Sequence, residues 1–93
     1  ALAGQIDRLV ELPDEIVLVD FKTGKPPEAR ETQTPYWTQM AAYRALMQGV
    51  RPGKPIRCAL IWTQEARIDW LDEAALDEAM AQVLSGEQDL NEG

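Results

Sequence analysis

The feature that most restricts this chain is the run at residues 4–25, GQIDRLVELPDEIVLVDFKTGK, in which a turn at Leu12-Pro13-Asp14-Glu15 joins two short apolar arms. Aliphatic and β-branched residues dominate both arms, about residues 4–12 and about residues 15–23, so each reads as a strand. A loop of either two or four residues pairs positions whose numbers have the same sum, so Leu12 faces Glu15, Val10 faces Val17, and Asp7 stands directly opposite Asp20. Opposed residues on an antiparallel pair have Cβ atoms roughly 4.5–5.5 Å apart, and like charges placed there destabilise the pairing. Side chains alternate with period two, so Lys22 projects from the same face as Asp20. The hairpin therefore predicts two carboxylates and an ammonium on one patch. A divalent cation would offset the carboxylate repulsion.

The remaining elements follow from punctuation and periodicity. Ile16-Val17-Leu18-Val19 is continuously apolar, which predicts a strand covered on both faces, as in an α/β layer. Gly24, Pro26 and Pro27 make residues 23–34 a loop. Thr34 as N-cap and Pro35 at the first helical position begin a helix, with Gly49 as its terminator. Its apolar stripe is Tyr36, Met40, Tyr43, Met47 and Val50, and Gln39 and Tyr43, four apart, share one side. After a loop with Pro52, Gly53 and Pro55, residues 56–63 (IRCALIWT) form a third strand. Gln64 to Ala66 turn the chain into a short fourth strand, residues 67–71, in which Ile68 and Trp70 alternate. Asp72 caps a last helix with the stripe Leu76, Met80, Val83 and Leu84, and Gly86 is expected to end it. The element order is β-β-α-β-β-α. That order predicts an α/β fold with a mixed sheet of about four strands flanked by helices.

Composition sets the outer limits. Ninety-three residues make one small domain. No apolar run approaches the roughly 20 residues of a membrane span, so no membrane partner is expected. A single cysteine, Cys58, excludes an internal disulfide and an iron–sulfur cluster, and it reads as a reduced, buried thiol that fits a cytoplasmic setting. The absence of histidine excludes His-based catalysis and ligation within these residues. Nine basic against sixteen acidic residues leave a net charge of −7, which argues against an autonomous nucleic-acid binder relying on a basic face. Much of the acid is late in the chain and reads as a solvated helix face.

The chemistry therefore rests on Asp7, Asp20 and Lys22. Magnesium takes oxygen ligands and usually one or two carboxylates, with water and substrate phosphate completing its shell. Asp7 and Asp20 are the candidate carboxylate ligands for Mg2+ or Mn2+, and the backbone carbonyl of Phe21 is a candidate third oxygen. Lys22 is placed to orient a water or to neutralise charge developing on phosphate. This set suits metal-dependent phosphodiester hydrolysis better than glycoside hydrolysis, which uses two carboxyls without a metal and gives the lysine no role. Plainer roles compete: Lys22 as a simple ion-pair partner, Gln39 and Tyr43 as ordinary packing, Arg8 as a surface residue, and Trp37, Trp62 and Trp70 as core or rim aromatics. Lys25 and Arg30 are weaker candidates for touching a phosphate backbone.

IDRL, then VDFKTGK, then QMAAY at residues 39–43 resemble, in that order and spacing, the RecB-type branch of the PD-(D/E)xK nucleases. The likeness is greatest to the C-terminal nuclease domain of AddA-like helicase–nuclease subunits, and it covers about residues 3–71. By that resemblance the metal site falls on Asp7, Asp20 and Lys22, and the Q-x-x-x-Y motif on Gln39 and Tyr43 beside it. The resemblance implies a restriction-endonuclease-like core and a metal-dependent DNA exonuclease acting in double-strand break repair. Its implied partners are DNA, helicase domains of the same parent chain and a second subunit. It further implies that residues 1–86 are a nuclease core lacking a preceding histidine-bearing helix, followed by a flexible tail at 87–93. The alternative is a non-catalytic domain of the same fold that binds DNA or a partner subunit.

Overall fold

The computed structural model describes residues 6–29 and 35–92, with side chains as far as residue 85. The turn closes as a hairpin in which the Leu12 N–H donates to the Glu15 carbonyl at 2.8 Å. It joins β1 (Arg8–Glu11) to β2 (Ile16–Lys22) antiparallel, and the partners Arg8↔Val19, Leu9↔Leu18, Val10↔Val17 and Glu11↔Ile16 keep the expected sum. The ladder is shorter than predicted. It starts at Arg8, so Asp7 sits one residue outside it.

A helical crossover, α1 (Pro35–Val50), leads to β3 (Ile56–Trp62), which pairs parallel with β2 from Ile16↔Ile56 to Lys22↔Trp62. Parallel neighbours cannot be joined by a tight turn, and a helix is the usual bridge. β4 (Arg67–Trp70) returns antiparallel to β3, completing a four-stranded mixed sheet in the order β1-β2-β3-β4. α2 (Glu73–Glu92) follows. Asp72 caps it as expected, its carboxylate accepting the Ala75 N–H at 3.0 Å.

The core lies between one face of the sheet and both helices. Ile16 and Leu18 of β2 and Ile56, Cys58, Leu60 and Trp62 of β3 meet Trp37, Met40 and Ala41 of α1 and Leu76 and Ala79 of α2. Arg44 is buried among these layers, donating to the Ile56 carbonyl at 3.1 Å and to Asp77 at 2.6 Å. The α1 stripe is rotated from the expected one: Trp37, Met40, Ala41 and Arg44 form its centre, Tyr36, Tyr43 and Met47 its half-buried margin, and Val50 is exposed.

Three further expectations are corrected. Among the described residues no helix covers the opposite sheet face, where Val10, Phe21, Ile68 and Trp70 are exposed. β2 is nevertheless buried from Ile16 to Asp20, as an interior strand paired with β1 on one side and β3 on the other. β4 alternates as expected, with Ile68 and Trp70 outward and Asp69, 4% exposed, inward. α1 runs through Gly49 to Val50, and the left-handed glycine is Gly53 (φ 86°) in the following turn. α2 passes through Gly86 to Glu92, so residues 87–92 are helical, and Leu84 is exposed while Ala79 is buried. One glycine costs a helix only about 1 kcal/mol relative to alanine, which does not by itself stop it. Thr34 and Arg30 lie outside the described residues.

Candidate functional site

The site forms where β1 begins and β2 ends. Released from the ladder, Asp7 uses its carboxylate in place of a backbone partner, accepting the Phe21 N–H at 2.9 Å. N–H and C=O of one strand residue lie on the same edge, so the Phe21 carbonyl also faces the side on which β1 has ended. Asp20 projects to the helix-covered face at the carboxyl end of the parallel pair β2/β3 and is 7% exposed. The outer ends of parallel strands are where ligands bind in open α/β sheets.

The two carboxyl groups are within hydrogen-bonding reach of one another, so each shifts the other. Asp7 is held below the ordinary carboxylate range, first by its hydrogen bond with Asp20 and next by the Phe21 N–H. Asp20 is pushed above that range, first by burial and next by Asp7, with Lys22 opposing. Of the two, Asp20 is the one that takes up a proton more readily. A proton in this position does what a cation would do: it cancels one of two negative charges that cannot both be left there uncompensated.

Lys22 lies on the same face, its Nζ 2.5 Å from Asp20 Oδ2 and 3.7 Å from the centroid of the Tyr36 ring. Tyr36 belongs to the first turn of α1, so that helix begins at the site. Among the described residues no group of three or more His, Cys, Asp or Glu gathers in a way that could hold a metal ion. Two carboxylates and a main-chain oxygen are a hard, oxygen-only donor set. They fit Mg2+ or Mn2+, which keep several waters, and not Zn2+, which takes four nitrogen or sulfur ligands at structural sites and three protein ligands at catalytic ones.

The other candidates are distributed as follows. Gln39 and Tyr43 are half-buried on α1, about one and two turns beyond Tyr36. Arg8 is exposed and pairs with Val19, which places it on the face away from the carboxylates. Lys25 is exposed. Trp37 and Trp62 are core residues, whereas Trp70 is 50% exposed with the Arg57 guanidinium 4.0 Å from its ring centre.

Two features were not anticipated. Tyr36 was read only as part of an apolar stripe, although its place three residues before Gln39 signals that it shares a face with the motif. Behind it lies a buried polar network. Asp69 accepts from Arg67 Nε and Nη2, both at 2.8 Å, and from Trp62 Nε1 at 3.1 Å, while Arg67 Nη1 donates to the Pro27 carbonyl at 2.7 Å. Its signal in the sequence is an aspartate between two apolar residues of a short strand. The network ties the loop after Lys22 to β4.

The family model for the PD-(D/E)XK nuclease superfamily matches residues 1–92. The chain belongs to that superfamily. Its four-stranded mixed sheet with two helices is consistent with the restriction-endonuclease-like fold of PD-(D/E)XK proteins, and membership implies a nuclease-type function with DNA as substrate. PD-(D/E)XK nucleases generally use Mg2+ or Mn2+. Among curated proteins and solved structures, none matches the chain significantly. No helix among the described residues is long and apolar enough to cross a membrane.

Proposed function

We propose that this chain carries the active centre of a metal-dependent deoxyribonuclease, with Asp7 and Asp20 as metal ligands and Lys22 as the catalytic cation. The observation that carries the reading is the convergence at one end of the hairpin of Asp7, whose carboxylate accepts the Phe21 N–H at 2.9 Å, Asp20, and the Lys22 ammonium 2.5 Å from Asp20. A bound Mg2+ or Mn2+ would polarise a phosphoryl oxygen and lower the pKa of a bound water. Asp7, just before β1, and Asp20 on β2 would hold the ion, with the Phe21 carbonyl beside them. Lys22 would orient the attacking water or stabilise charge developing on the phosphate. Gln39 and Tyr43 would support the site from α1.

The finer assignment is a DNA exonuclease of the RecB type, resembling the nuclease domain of AddA-like helicase–nucleases that process double-strand breaks in the cytoplasm. Helicase domains of the parent chain and a second subunit would then supply the grip on DNA that a net charge of −7 does not favour here. A non-catalytic DNA- or subunit-binding domain is the second reading, favoured by the small number of carboxylates: two make the site among the described residues. Cleavage of linear DNA with Mg2+ decides between them. Asp20→Ala is expected to abolish cleavage while leaving the circular dichroism spectrum unchanged, and equal cleavage by variant and wild type would refute the catalytic assignment.

A further inference from the structure

Lys22 faces a difficulty if a divalent cation binds. Among the described residues its carboxylate partner is Asp20, the residue the metal would take. An ammonium is repelled by a metal on that carboxylate, and a lysine side chain has the rotatable bonds to leave for solvent. The structure gives Lys22 a second contact that does not depend on Asp20, the face of Tyr36 at 3.7 Å. The attraction of an ammonium to a ring face is worth about 3- to 30-fold in an equilibrium, more when water is excluded.

That ring is held in place from behind. Tyr36 meets Trp62 edge to face, with centroids 6.3 Å apart and planes at 63°. Trp62 is the register partner of Lys22 across β2 and β3, so its side chain stands beside that of the lysine. Its indole N–H is fixed by Asp69, 4% exposed, which the fork of Arg67 holds in turn. A chain of contacts thus runs from a buried ion pair on β4 to the ammonium.

We propose that Tyr36 is the positioning residue for Lys22, its ring providing the seat that keeps the ammonium at the site once a metal occupies Asp20. This rests on the proposed metal site. The test reads the ε-methylene protons of Lys22 by NMR, because a ring face 3.7 Å from Nζ moves them upfield. The upfield shift is expected in the wild type without metal and again at saturating Mg2+. Tyr36→Phe keeps it in both states, and Tyr36→Leu loses it in both. In DNA hydrolysis Tyr36→Leu lowers kcat roughly 3- to 30-fold with KM unchanged, and Tyr36→Phe restores it. Disappearance of the wild-type shift on adding Mg2+, with Mg2+ binding intact, overturns the seat alone. A wild type that binds no Mg2+ overturns the seat and the proposed function together.

Discussion

Asp69→Ala is expected to destabilise the protein more than loss of any surface ion pair. The carboxylate is 4% exposed and accepts three hydrogen bonds, two from the Arg67 fork and one from the Trp62 indole. Truncation leaves the buried Trp62 N–H without this acceptor, at about 1–3 kcal/mol. Breaking a buried pair from one side typically costs 3–5 kcal/mol, because the partner charge stays behind. Arg67 keeps its bond to the Pro27 carbonyl, so the lower end, about 3 kcal/mol, is the expectation. For a domain of this size that lowers Tm by roughly 12–24 °C. Urea unfolding followed by tryptophan fluorescence measures it, with Glu11→Ala as the comparison: Glu11 holds Lys54 and Arg51 at 3.2 and 3.4 Å in an exposed pair that contributes little. An Asp69→Ala midpoint indistinguishable from that of Glu11→Ala would refute the claim that the buried network anchors β4 and the loop before α1.

Two other outcomes follow from the titrating groups. Because burial and Asp7 raise the Asp20 pKa, the native state binds more protons than the unfolded chain between the ordinary and the raised value, and stability falls as pH rises through that window. Asp7, shifted the opposite way, contributes stability above the ordinary value that is lost as pH falls further. Asp20→Asn, a neutral isostere, should therefore be more stable than wild type near neutral pH without metal, the gain vanishing where Asp20 is protonated; a destabilised variant would contradict this. Cys58 is buried and its thiol is pushed up to about 12, chiefly by burial, so labelling by a disulfide reagent at mildly alkaline pH should proceed only as the protein unfolds. Rapid labelling of the native state would contradict the packing of β3.

The hairpin was legible because turn length and a period of two determine register without knowledge of the rest of the fold. Asp7 and Asp20 had to oppose one another once Leu12 and Glu15 closed the turn. The rotation of α1 was less legible, because Trp37, Ala41 and Arg44 reach the core only through contacts with α2 and β3. Arg44 in particular is polar and buries itself by pairing with Asp77, which no local pattern announces. β4 was legible only in part: apolar alternation names a face but not which side it takes, and Asp69 goes inward because Arg67 and Trp62 satisfy it. Tyr36 became informative only when Lys22 was found above it.

The central claim is that Asp7 and Asp20 share one divalent cation. Titration with Mn2+, whose unpaired electrons broaden nearby NMR signals, locates the ion directly. Broadening is expected to centre on the amides of Asp7, Asp20, Phe21 and Lys22, to be displaced by Mg2+, and to disappear in Asp20→Asn. Broadening centred on the acidic surface of α2 around Glu73 and Asp77, or unchanged in Asp20→Asn, would contradict the account.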